Sequence, residues 1–146
     1  MLSRVDKDFV AAIKDGFDLP EVDASQYSPL ELAYLGDCVY ETVIRSVTCY
    51  RKKTSVKNLN KATVEMVRAS AQAALADKIL ADKILSEEEL VVYKRGRNSN
   101  PAGKAKSASR AEYMKATGLE TLVGYLYIEG RYDRIVELIK GLYQGE

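Results

Sequence analysis

Residues 29–41 read PLELAYLGDCVYE, and the reading of this stretch decides the fold. Ser28-Pro29-Leu30-Glu31 is a helix-opening signal, with serine as N-cap, proline at the first helical position and glutamate three residues after the cap. The spacing predicts a helix from there to about Ser46. At 100° per residue, Leu30, Ala33, Tyr34, Tyr40 and Ile44 fall within about 60° of Asp37. Leu32, Leu35, Val39 and Val43 occupy the opposite side. Apart from Glu31, only a narrow strip near Gly36 and Arg45 is left to face solvent. A helix apolar on nearly all sides is expected to be buried, and an unpaired carboxylate inside it is costly. A mid-helix glycine costs about 1 kcal/mol more than alanine. Asp37 therefore needs a compensating role.

A second acid repeats the pattern. In ATGLETLVGYLY (116–127), Glu120 is flanked on its own face by Tyr113, Ala116, Val123, Gly124 and Tyr127. Gly118 and Gly124 place small residues inside a helix, as a close helix contact or ligand access requires. The two acids are candidates to converge on one cation. The alternative for each is a structural hydrogen bond or a buried ion pair with an arginine.

The 146 residues are expected to form one domain, 47% hydrophobic and 29% charged. Histidine is absent from the sequence. That excludes His-based acid–base and nucleophilic sites and nearly every zinc or copper site. Any resident metal is expected to be a hard, oxygen-loving ion such as Mg²⁺ or Mn²⁺. A hard ion, carboxylates and basic loops point to metal-assisted phosphodiester hydrolysis.

The periodicity is helical along nearly the whole chain, with no strand alternation, and predicts an all-α domain of about six helices. Val5, Phe9, Val10, Ile13 and Phe17 mark an N-terminal helix. A long helix is expected from about Val56 into the 70s. The pentapeptide Ala-Asp-Lys-Ile-Leu occurs at 76–80 and again at 81–85, a local duplication near a helix end. Ser86 and Glu89 form a second capping box, and Gly96 is expected as the left-handed stop of the helix they open. Residues 97–108 are expected as a polar loop, followed by a helix over roughly 109–128 and a last helix after Gly130. Cys38 and Cys49, roughly 16 Å apart if one helix carries both, are too far for a disulfide and are expected as small buried hydrophobes. The charged N-terminus and the lack of a long apolar run point to a cytoplasmic protein with no membrane partner.

Net charge is +1, but its distribution is uneven. Residues 51–61 hold five basic side chains and no acid, and residues 94–115 hold seven against Glu112 alone. Either run is a candidate polyanion-binding surface or simply a set of solvated loops.

LAYLGDCVYE (32–41) resembles the signature helix of the ribonuclease III family, and GLETLVGYLY (118–127) its second catalytic helix. With KRGRN (94–98) and a single catalytic domain, the similarity is greatest to the Mini-ribonuclease III group, which lacks the separate double-stranded RNA-binding domain. The resemblance covers nearly all of the chain from about residue 28. It implies a homodimeric helical endonuclease acting on double-stranded RNA with Mg²⁺, for which Mn²⁺ substitutes, and leaving 5′-phosphate and 3′-hydroxyl ends. Asp37 and Glu120 match the family's catalytic, metal-binding acids. Where full-length members carry two further acids, this chain has Ala33 and Thr117, which leaves few carboxylates for two ions. Glu41, one turn beyond Asp37, and Thr117 are candidates to support the site, Glu41 being equally a partner for Arg45.

RNA grip then falls to the catalytic domain itself, with Arg95, Arg97, Asn98, Lys104, Lys106 and Arg110 as candidates. Lys94 and Arg95 are also explained as complements to the helix dipole. The implied substrate is the precursor of 23S ribosomal RNA, with a large-subunit ribosomal protein as an assisting partner. The rival reading is a non-cutting RNA-binding module of the same fold, which leaves the two costly acids unexplained.

Overall fold

The computed structural model describes residues 8–99 and 109–144, which form seven α-helices and two short 3₁₀ turns. The helices are α1 (Phe9–Gly16), α2 (Pro29–Arg51), α3 (Val56–Val67), α4 (Ala69–Ala81), α5 (Glu87–Asn98), α6 (Arg110–Ile128) and α7 (Tyr132–Ile139). The 3₁₀ turns are Ala24–Gln26 and Lys140–Tyr143. No strand occurs among the described residues.

Three helices open with reciprocal capping boxes: Ser28 with Glu31, Ser86 with Glu89, and Ser109 with Glu112. Each pair satisfies two backbone N–H groups that have no partner inside the helix. The third box lies in a stretch where the sequence predicts a helix start only approximately.

Helix α6 is the axis of the molecule. Residues 116–126 are buried without interruption, save for the half-buried Glu120. Helices α2, α4, α5 and α7 all pack on α6, with α2 making the broadest contact. Around it gather Tyr40 and Ile44 of α2, Leu75 and Ile79 of α4, Val92 of α5, and Ile135, Leu138 and Ile139 of α7.

The long helix expected from Val56 is two helices. Arg68 breaks it in an extended conformation (φ −64°, ψ 155°), and its carbonyl accepts from the N–H groups of Ala71 and Gln72 to start α4. No proline or glycine marks this break. It is held from outside, since the Tyr40 hydroxyl donates to the Met66 carbonyl (3.1 Å) and the Gln72 amide to the Val67 carbonyl (2.9 Å). The duplicated pentapeptide does fall at a helix end, its second copy leaving α4 through Lys83 at φ 54°.

Three further expectations need correction, those for Gly96, for Gly36 with Asp37, and for the two cysteines. Gly96 is not a left-handed stop; α5 continues to Asn98, and a Cβ at Gly96 would overlap the Thr121 side chain of α6. Gly36, expected toward solvent, is buried against α6, whereas Asp37 is exposed. Cys38 and Cys49 are free and exposed, because they lie on the outer side of α2 rather than in the core. Phe9 and Phe17 are also exposed, since α1 turns only Val10, Ala11, Ile13 and Lys14 partly inward.

Glu89 does more than cap α5. At 1% exposure it accepts from Nε and Nη2 of Arg134 (2.9 and 2.8 Å) and from Arg131 (3.3 Å), tying α5 to α7. These arginines hold its carboxyl below the usual carboxylate range, the Arg134 hydrogen bond being the largest cause.

Candidate active site

The approach of α2 to α6 creates the site. A Cβ on Gly36 would overlap the Glu120 carbonyl, and one on Gly124 would overlap the Leu32 carbonyl. Both glycines are therefore required by backbone contact. The contact sets the rotation of each helix and brings Asp37 of α2 against Glu120 of α6, within hydrogen-bonding reach.

Glu120 is pushed up to about 8, first by burial, then by the charge of Asp37 and the hydrogen bond with it. A hydrogen bond from Gln72 pulls the other way. Burial and the neighbouring acid together make Glu120 hold its proton more readily than an ordinary carboxyl in the metal-free protein. Asp37 thus differs from the expectation in one respect. Its side chain is exposed rather than buried, and it is Glu120 that lies partly buried beside it.

Two residues complete the surroundings of Glu120 that the sequence reading does not single out. Gln72, 2% exposed on α4, donates from Nε2 to Glu120 Oε2 at 3.3 Å. Tyr40, fully buried, has its hydroxyl pushed up beyond its ordinary range by burial and by the charges of Tyr143 and Glu120. The only hint of Gln72 in the sequence is a long amide within the small, apolar run ASAQAALA.

The candidate supporting residues take other partners. Glu41 lies in the same open groove as Tyr34, Asp37 and Arg45, and its carboxylate accepts from Arg45 Nε at 2.6 Å. The hydroxyl of Thr117 donates to the Tyr113 carbonyl at 3.0 Å, and its side chain is buried one turn before Glu120. No third histidine, cysteine or acid joins the pair as a metal-binding group among the described residues.

The candidate RNA contacts among the described residues have different surroundings. Arg95 lines a groove between α5 and the start of α2 with Glu88, Val91 and Tyr125. Arg97 lies 5.9 Å over the ring of Tyr93, and its Nε donates to Asn98 Oδ1 at 3.2 Å. Arg95 lies in the last turn of α5 as expected, and Arg97 and Asn98, expected in the loop, belong to that turn too. Arg110 opens α6 and is exposed. Lys104 and Lys106 lie outside the described residues.

The described residues form an all-helical domain, and the Ribonuclease III domain family matches residues 30–131 of the chain. The chain is 42% identical over 126 residues to a Mini-ribonuclease 3 of Clostridium tetani, covering 86% of this chain and 82% of that protein. It is also 42% identical over 117 residues to the Mini-ribonuclease 3 of Enterococcus faecalis, covering 80% and 89%. A crystal structure of a Fusobacterium nucleatum protein superposes with a TM-score of 0.74 at 33% identity, covering 84% of this chain and 97% of that one. The chain belongs to the Mini-ribonuclease 3 group of the ribonuclease III family and is an endoribonuclease.

Members of this family generally depend on a divalent metal and act on double-stranded RNA. The residues present fit such an ion. A hard cation offsets the burial and the neighbouring charge that raise Glu120, and the buried Gln72 Oε1 has no hydrogen-bond partner. Two carboxylates suit one ion, with water filling its remaining positions, better than they suit two.

Proposed function

We propose that this endoribonuclease hydrolyses phosphodiester bonds in double-stranded RNA at Asp37 and Glu120, which together hold one Mg²⁺ or Mn²⁺. The single observation that carries this reading is the opposition of the two carboxyls across α2 and α6. A non-cutting module gives no account of a partly buried carboxyl raised to about 8 beside a second acid. When bound, the cation polarises the scissile phosphate and lowers the pKa of the attacking water. Asp37 and Glu120 fix the ion's place, and Glu120 gives up its proton as the ion binds. Water adds to phosphorus and the bond to the 3′ oxygen breaks, leaving a 5′-phosphate and a 3′-hydroxyl.

In this reading the 146 residues act as one catalytic domain, in the cytoplasm and as a homodimer. The outer face of α2 supports the dimer. Leu30 is 45% and Tyr34 85% exposed, on the same side as Asp37, and large apolar groups so placed mark a contact surface. Arg95, Arg97, Asn98, Lys104, Lys106 and Arg110 grip phosphates and 2′-hydroxyls, which accounts for affinity without sequence readout. The substrate is the 23S ribosomal RNA precursor, with a large-subunit ribosomal protein shaping it.

Cleavage of a long RNA duplex with Mg²⁺, with chelator, and by Asp37→Asn tests this reading. We expect cutting by the native chain only with the ion, and none by Asp37→Asn. Cutting that survives in chelator, or in the folded variant, overturns it.

A further inference from the structure

Gln72 is the least expected side chain near the acids. A primary amide buried to 2% exposure needs partners for two donors and one oxygen. Its donors are engaged at the Val67 carbonyl (2.9 Å) and at Glu120 Oε2 (3.3 Å). Its oxygen is buried with no hydrogen-bond partner. The amide therefore joins three things: the end of α3, the carboxyl of Glu120, and an unused acceptor beside that carboxyl.

The break at Arg68 explains how it gets there. If α3 and α4 were one helix, the Val67 carbonyl would accept from the backbone N–H of Ala71. Instead the N–H of Ala71 donates to Arg68 (3.1 Å), and Val67 is left to the Gln72 side chain. One bond closes the helix end; the other reaches across to α6. Capping alone uses only the first and leaves the contact with Glu120 and the idle oxygen unexplained.

We propose that Gln72 is a positioning residue for the metal site, resting on the reading of Asp37 and Glu120 given above. Its Nε2 holds the Glu120 carboxyl in the orientation that faces Asp37. Its free oxygen accepts from a water that accompanies the ion. Partners of this kind behind a metal-ligating group commonly set affinity by a factor of about 10–100.

The test is Mn²⁺ titration calorimetry on the RNA-free protein, comparing the native chain with Gln72→Met, Glu120→Gln and Asp37→Asn. Methionine matches the length of glutamine and removes its polar atoms. We expect Gln72→Met to weaken Mn²⁺ binding about tenfold and to raise the Mg²⁺ needed for half-maximal cleavage. RNA affinity in chelator should stay unchanged. Native Mn²⁺ affinity in folded Gln72→Met, with binding abolished in the two acid variants, overturns the role of Gln72 alone. Unchanged binding in all three overturns the metal reading itself. Should Gln72→Met fail to fold, the native protein decides through its three glutamine side-chain amides, Gln26, Gln72 and Gln144. Substoichiometric Mn²⁺ should broaden the NMR signal of the Gln72 amide before the other two. Equal broadening of all three overturns the proposal.

Discussion

Gly36 on α2 and Gly124 on α6 face each other at backbone contact, a Cβ on Gly124 lying 3.2 Å from the Gly36 nitrogen and overlapping the Leu32 carbonyl. The pair determines how far apart Asp37 and Glu120 stand, since each acid sits within one turn of its glycine. Helix propensity favours alanine at both positions by about 1 kcal/mol. Packing forbids it.

Gly36→Ala should therefore destabilise the fold despite the propensity gain. Pushing a methyl group into a closed contact costs about 1–3 kcal/mol, and here the obstacle is the Glu120 backbone rather than a flexible side chain. Urea unfolding reads the loss. Cleavage should fall as well, because the helices separate where the carboxyls meet.

The acid pair gives the metal-free protein a distinctive pH dependence. Glu120 has an ordinary value of 4.5 and is raised to about 8. Between those values the folded state binds more protons than the unfolded state, so stability falls as pH rises through this window. Thermal unfolding in chelator should show that fall. Asp37→Asn should reduce it by removing a negative neighbour, and saturating Mg²⁺ should flatten it by replacing the Glu120 proton.

Glu89 predicts the opposite slope. Its carboxyl is lowered by Arg134, so its contribution is present above its ordinary value of 4.5 and is lost as pH falls through the folded value. Glu89→Gln leaves the 19%-exposed Arg134 side chain with no carboxylate at that position, although Glu137 still pairs with it. We expect a loss of about 3 kcal/mol in chemical denaturation, with Mn²⁺ affinity unchanged because Glu89 lies in the lock between α5 and α7.

Arg97 tests the proposed RNA surface. Arg97→Ala should weaken binding to a long RNA duplex and reduce the magnitude of the slope of log K against log salt by about 1. An unchanged slope removes Arg97 from the interface. Because its guanidinium also lies over Tyr93, circular dichroism should accompany the measurement to show that α5 is intact.

Much of this protein is written locally. Capping boxes and apolar periodicity mark where most helices start, because those signals act within one turn of chain, whereas the end of α5 is expected at Gly96 and lies at Asn98. Asp37 and Glu120 stand out in the sequence as carboxylates beside mid-helix glycines in a chain without histidine, but the burial expected of both holds in part for Glu120 alone, since Asp37 is exposed. The turn of α2 about its own axis was not legible. A helix apolar on nearly every side does not say which side meets its own core and which awaits another surface, and Gly36 against Gly124 makes that choice by shape. The break at Arg68 and the reach of Gln72 to Glu120 belong to the same class. They depend on hydrogen bonds between residues 26 and 48 positions apart, which only the packed helices bring together.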